Sequence, residues 1–113
     1  MKSKILALSK NEEFKKLLKK KKISNKYVTI FFGNLENKNN KRLNISFVTK
    51  KKLGNAVKRN KIKRRLRNIM NDAVKKISIK FEYSYLVISR PAMLNSDFKD
   101  IKETLFREFG KIK

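Results

Sequence analysis

Residues 58–67 read KRNKIKRRLR, seven basic side chains in ten with no acidic one. Of the seven arginines in the chain, Arg59, Arg64, Arg65 and Arg67 fall within nine positions. Arginine presents a planar fork of donors that matches phosphate oxygens, so this run is suited to holding a polyanion. Its spacing is helical as well as basic. Ile62, Leu66, Ile69, Met70, Ala73 and Ile77 recur at intervals that make one buried helix face. At about 100° per residue, Asn60, Lys63, Arg64, Arg67 and Asn71 then share the opposite face. Like charges meet at i,i+4 in Arg59/Lys63, Lys61/Arg65 and Lys63/Arg67, and at i,i+3 in Lys58/Lys61, Lys61/Arg64 and Arg64/Arg67. Each pair costs about 0.2–0.5 kcal/mol at low salt. Lys58 and Arg59 also sit near the helix start, where the macrodipole disfavours cations. A helix selected for stability alone would alternate its signs; one that meets phosphates would carry this pattern.

Other chemistry is poorly supplied. The nine carboxylates are Glu12, Glu13, Glu36, Asp72, Glu82, Asp97, Asp100, Glu103 and Glu108. A metal nuclease needs several of them converging on a divalent cation. Asp97, Asp100 and Glu103 are the one cluster on a single element, and their place at a helix start is explained by capping and the dipole. Histidine and cysteine are absent, which removes triads, thiolate chemistry and the commonest metal ligands. Three glycines are too few for a phosphate-cradling loop. The polypeptide alone is therefore expected to hold no catalytic residue and no metal site. Phe14, Tyr27 and Phe31 fit two readings: a stacking surface for unpaired bases, or ordinary core.

The elements that must position these residues follow from local pattern. With 113 residues and 40% hydrophobic content, the chain suits one domain spanning 1–113, with flexible ends expected at 1–8 and 111–113. A net charge of +23 opposes compaction and calls for an anionic partner. The N-terminus lacks a signal-peptide core and no stretch approaches a membrane span, so a cytoplasmic protein is expected. Ser9 to Glu12 forms a capping box ahead of a short helix over about 10–20, with the basic run 19–22 at its end. Residues 27–32 (YVTIFF) favour a strand, with Tyr27, Thr29 and Phe31 on one face and Val28, Ile30 and Phe32 on the other. A polar connection, 33–41, leads to an alternating strand over 42–49, in which Leu43, Ile45 and Phe47 form the better-buried face. The basic turn Lys50, Lys51, Lys52 then meets Gly54, and Asn55 caps a helix over 56–76. Residues 81–90 make a third strand, stopped by Pro91. Ser96 caps a last helix striped by Phe98, Ile101, Leu105 and Phe109 and closed at Gly110. The order α-β-β-α-β-α describes an α+β fold, a small layered sandwich.

Residues 54–67, GNAVKRNKIKRRLR, resemble the signature of the protein subunit of bacterial ribonuclease P, an RN-x-IKR-x-x-R core preceded by a basic turn. Arg59, Asn60, Ile62, Lys63, Arg64 and Arg67 match it, and the element order agrees along nearly the whole chain. The resemblance implies a two-layer α/β sandwich with a left-handed β-α-β crossover through the signature helix. It implies a partner, the catalytic RNA, which binds magnesium and cleaves the 5′ leader from precursor tRNA, with no cofactor bound by the protein, no obligate protein partner and no membrane. Carried over by position, Lys50, Lys51, Lys52, Lys58, Arg59, Asn60, Lys63, Arg64 and Arg67 would contact that RNA. Phe14, Leu18, Tyr27 and Phe31 would approach the leader in a cleft between the sheet and the first helix; Leu18 stands where many relatives have an aromatic. The rival readings are a ribosomal or other RNA-scaffold protein, a nucleoid-type DNA binder and a self-contained nuclease.

Overall fold

The computed structural model describes residues 5–6, 11–34 and 43–112. Five strands form one sheet in the order β1-β4-β5-β3-β2: β1 (Ile5–Leu6), β2 (Lys21–Ser24), β3 (Val28–Gly33), β4 (Leu43–Val48) and β5 (Ser84–Ser89). Three helices accompany it: α1 (Asn11–Leu18), α2 (Ala56–Lys76) and α3 (Phe98–Lys111). The β4 strand runs parallel to β5, with Ile45 opposite Tyr85 and Phe47 opposite Val87. Parallel neighbours need a long crossover, and α2 supplies it. The β3 strand pairs antiparallel to β5 on its other side.

Strand β5 is central and covered on both faces, which explains its unbroken apolar run Tyr85-Leu86-Val87-Ile88. Alternation along it separates two cores. On one face Tyr85 and Val87 join Val28, Ile30, Phe32, Leu43 and Ile45 beneath α2 and α3. This is the main sandwich. On the other face Leu86, with Ile88 at its edge, meets Leu17, Phe14, Phe31 and Val48 beneath α1. Tyr85 anchors the main core, ringed edge-on by Phe109 at 5.4 Å and donating its hydroxyl to the Lys80 carbonyl at 2.8 Å. Lys102 Nζ reaches Asp72 Oδ2 at 2.7 Å and so ties α3 to α2.

The expected α-β-β-α-β-α order is present as α1-β3-β4-α2-β5-α3. Several boundaries move. The first helix ends at Leu18 rather than 20, and Lys21 and Lys22 belong to edge strand β2, paired with Phe32 and Phe31. The lysine run is therefore not only a helix end; it also guards a sheet edge against stray pairing. Asn25 makes the hairpin turn, its Oδ1 accepting from the backbone N–H of Tyr27 at 2.8 Å and of Val28 at 3.0 Å. In β4 both faces are largely buried, Asn44 and Ser46 included, because β5 and β1 flank it while helices cover it. The last helix starts at Phe98 with Asp97, not Ser96, at its cap, and it runs through Gly110 to Lys111. Ile112 is buried in the main core, and Ile5 and Leu6 pair with Leu43 and Asn44. Both segments had been expected among the flexible ends, where the sequence offered no partner for them. Ser9 of the capping box and most of the 33–41 connection lie outside the described residues.

Candidate RNA interface

The basic turn is set by three adjacent residues. Leu53 is buried and pins the short 3-10 turn Lys51–Leu53 to the core. Gly54 adopts φ 138°, a region that side chains with a Cβ avoid. A Cβ there would also lie 2.9 Å from Lys58 Cδ. Asn55 then caps α2, its Oδ1 accepting from the Lys58 backbone N–H at 3.0 Å. Lys50, Lys51 and Lys52 are left exposed.

Burial of Ile62, Leu66, Ile69, Met70 and Ala73 fixes the rotation of α2. Lys58, Asn60, Arg64 and Arg67 consequently face solvent, while Lys63 and Arg59 are half-buried at the flanks. Arg59 sits nearer the apolar side, and its Nε is removed from solvent without a hydrogen-bond partner. Val57, 77% exposed, extends the outer face at its start. Among the described residues no carboxylate forms an ion pair with any cation between Lys50 and Arg67. An unneutralised cationic surface on a helix held rigid from behind suits phosphates.

A second surface lies under α1. Phe14 and Phe31 are half-buried against Leu17 and Leu86, and Leu18 beside them is 49% exposed. Lys15, Lys16 and Lys19 are exposed nearby on and after α1. Val48 belongs to this cluster, and the chain passes from it through Thr49 directly into Lys50. The cationic and apolar surfaces are therefore joined by one short segment, held by a Thr49 Oγ1–Ser89 Oγ contact of 3.5 Å.

Tyr27 is a correction. It is 2% exposed and packs in the main core with Val28, Ile30 and Phe32, away from Phe31. Strict alternation would have grouped it with Phe31, but the strand begins at Val28 and the Asn25 turn redirects the residue before it. Sequence reasoning also passed over Lys61 and Arg65, which lie on the α2 flank facing the 3-10 turn Pro91–Leu94. Their i,i+4 spacing was visible; the turn across from them was not. Among the described residues no three His, Cys, Asp or Glu side chains gather as a metal site would require. No described helix is long and apolar enough to cross a membrane.

A small α+β domain whose longest described helix turns a cationic face outward, without an ion-paired carboxylate among the described residues, is a polyanion-binding protein. Its family is specific: the Ribonuclease P family profile matches residues 3–113, and the chain belongs to that family. It is similar to the ribonuclease P protein component of Bacillus pumilus, 36% identical over 105 residues, 92% of this chain and 85% of the relative. The Mesoplasma florum component is 34% identical over 98 residues, 87% of this chain and 86% of the relative. Among solved structures, the Thermotoga maritima ribonuclease P protein superposes with TM-score 0.80 at 25% identity, covering 96% of this chain and 98% of that one. The Staphylococcus aureus protein superposes with TM-score 0.77 at 28% identity, covering 94% and 93%. The chain is a ribonuclease P subunit, with a role in tRNA processing and RNA as its partner.

Proposed function

We propose that the outer face of α2 and the 50–53 turn bind the catalytic RNA of ribonuclease P, while the surface under α1 receives the 5′ leader of precursor tRNA. Lys50, Lys51, Lys52, Lys58, Asn60, Lys63, Arg64 and Arg67 contact the RNA in this reading, and Arg59 reaches it from the helix flank. Phe14, Phe31 and Leu18 contact the leader; Tyr27 supports Phe31's strand from the core. The observation that carries the reading is the cationic face of α2, which no carboxylate neutralises among the described residues.

Hydrolysis belongs to the RNA in this reading. RNA phosphates hold the magnesium in this reading, and the protein supplies no ligand to it. The polypeptide acts by charge and geometry: cations between two polyanions lower their repulsion, so less bulk magnesium is needed. The test is leader cleavage of a labelled precursor tRNA at low magnesium by the cognate RNA alone, the protein alone and the mixture. Fast, correctly placed cleavage in the mixture alone supports the reading. Tight RNA binding without any gain in cleavage would reassign the chain to scaffolding RNA, and cleavage by protein alone would place the catalyst in the polypeptide.

A further inference from the structure

The helix α2 carries a second stripe of cations, of which the outer face uses only Lys58. Lys58, Lys61, Ile62 and Arg65 recur at i, i+3, i+4 and i+7 and line a cleft of about 330 Å³ against the end of the 3-10 turn Pro91–Leu94. This stripe lies roughly 140° around the helix from Asn60, Arg64 and Arg67. Three cations form one wall. Half-buried Leu94 supplies the accessible part of an apolar floor over Ile62 and Met93, which are buried in the main core, and Asn95 sets a side-chain amide at the rim.

These groups favour one kind of ligand. A bare anion has no use for the apolar floor, and an apolar molecule has none for three cations. A nucleotide matches both: phosphate against Lys58, Lys61 and Arg65, base against Leu94 where it covers Ile62 and Met93, with a polar base edge near the Asn95 amide. A paired base cannot enter, because its edge and faces are already occupied. We propose that this cleft takes one unpaired nucleotide of the RNA bound by α2. The proposal rests on the reading that the outer face of α2 binds RNA. A strand lying on Arg64 meets Lys61 first on entering the cleft, since Lys61 is exposed and is the member of the second stripe nearest the outer face. The like-charge pairs Lys58/Lys61 and Lys61/Arg65 disfavour the free helix and are relieved by the nucleotide's phosphate.

The test uses the full chain labelled with 13C at its methionine methyl groups. Met93 reports on the cleft, and Met70, on the buried inner face of α2, serves as an internal control. Adenosine 5′-monophosphate, adenosine, inorganic phosphate and a glutamate-rich peptide are titrated separately. The expected result is a Met93 shift with the nucleotide at a midpoint about tenfold below those of the other three probes. Lys61→Gln/Arg65→Gln should abolish the shift, and Asn95→Asp should weaken it severalfold. Neither variant threatens folding: Lys61 and Asn95 are exposed, Arg65 is half-buried, and the double change removes a like-charge pair. A Met93 signal that does not move, or that moves equally with phosphate or peptide, overturns the proposal. Binding of the catalytic RNA is measured in parallel for Arg64→Gln/Arg67→Gln. If that variant loses affinity while Met93 stays silent, the cleft is refuted and the outer face stands. If it binds as tightly as the parent chain, the reading of the outer face falls too.

Discussion

Replacing Lys63, Arg64 and Arg67 together by glutamine should move stability and RNA affinity in opposite directions. None of the three has a carboxylate partner among the described residues, and Arg64 and Arg67 are exposed, so little packing is lost. The change removes the like-charge pairs Arg59/Lys63, Lys63/Arg67, Lys61/Arg64 and Arg64/Arg67. At about 0.2–0.5 kcal/mol each, the free protein gains on the order of 1–2 kcal/mol at low salt and its Tm rises by roughly a few degrees. The RNA complex loses as many as three phosphate contacts. Each contributes about 0.9 to the log–log salt slope on duplex and about 0.7 on single strands, so the slope becomes shallower by roughly 2–3. Taking the ionic term to vanish near 1 M salt, one contact is worth about 0.7 log unit at physiological ionic strength, and three are worth roughly 100-fold in affinity. Equilibrium binding to the catalytic RNA, measured between about 50 and 200 mM salt, reads the slope; thermal melting of the free protein reads the stability. An unchanged slope in a folded variant would refute the assignment of these three side chains to phosphates. A lower Tm would refute the argument that the helix gives up stability for its partner.

Gly54→Ala should cost about 1–3 kcal/mol in urea denaturation, because φ 138° is strained for alanine and its Cβ meets Lys58. Leu18→Ala should change stability by less than about 0.5 kcal/mol, since the side chain is half exposed, yet weaken capture of a single-stranded leader severalfold in precursor binding. An unchanged leader affinity would remove Leu18 from that surface. Burial, followed by the negative charges of Tyr83 and Glu82, holds the Tyr85 phenol well above its ordinary value. Unfolded tyrosine therefore loses its proton first, so this contribution is complete below about pH 10 and is lost as pH rises beyond it. The drop in urea midpoint between about pH 9 and pH 11 should be smaller in Tyr85→Phe; an equal drop would assign the alkaline sensitivity to the lysines.

Local periodicity was sufficient for the part of the chain that carries most of the chemistry. The bounds of α2, Ala56–Lys76, its Asn55 cap and the outward grouping of Asn60, Arg64 and Arg67 follow from apolar spacing and capping rules, which act within one or two turns. The same spacing placed Arg59 near the apolar side, where the structure has its Nε out of solvent. Strands β3, β4 and β5 were legible as β-branched and aromatic runs, with their ends displaced by a few residues.

What remained hidden depends on partners far along the chain. Lys21 and Lys22 have no strand character of their own, and they become strand because Phe32 and Phe31 offer an open edge. Tyr27 was assigned to the wrong face because a turn made by Asn25 breaks the alternation just before it. The two-residue strand Ile5–Leu6 exists through β4 alone. The cleft beside Lys61 and Arg65 needs Met93, Leu94 and Asn95, some thirty residues later. The sequence alone determined that this protein carries a rigid cationic helix and must meet a polyanion, because charge and helical period are properties of neighbouring residues. Tertiary structure alone decided which apolar groups border that charge, because the sheet order brings together segments that no local rule connects.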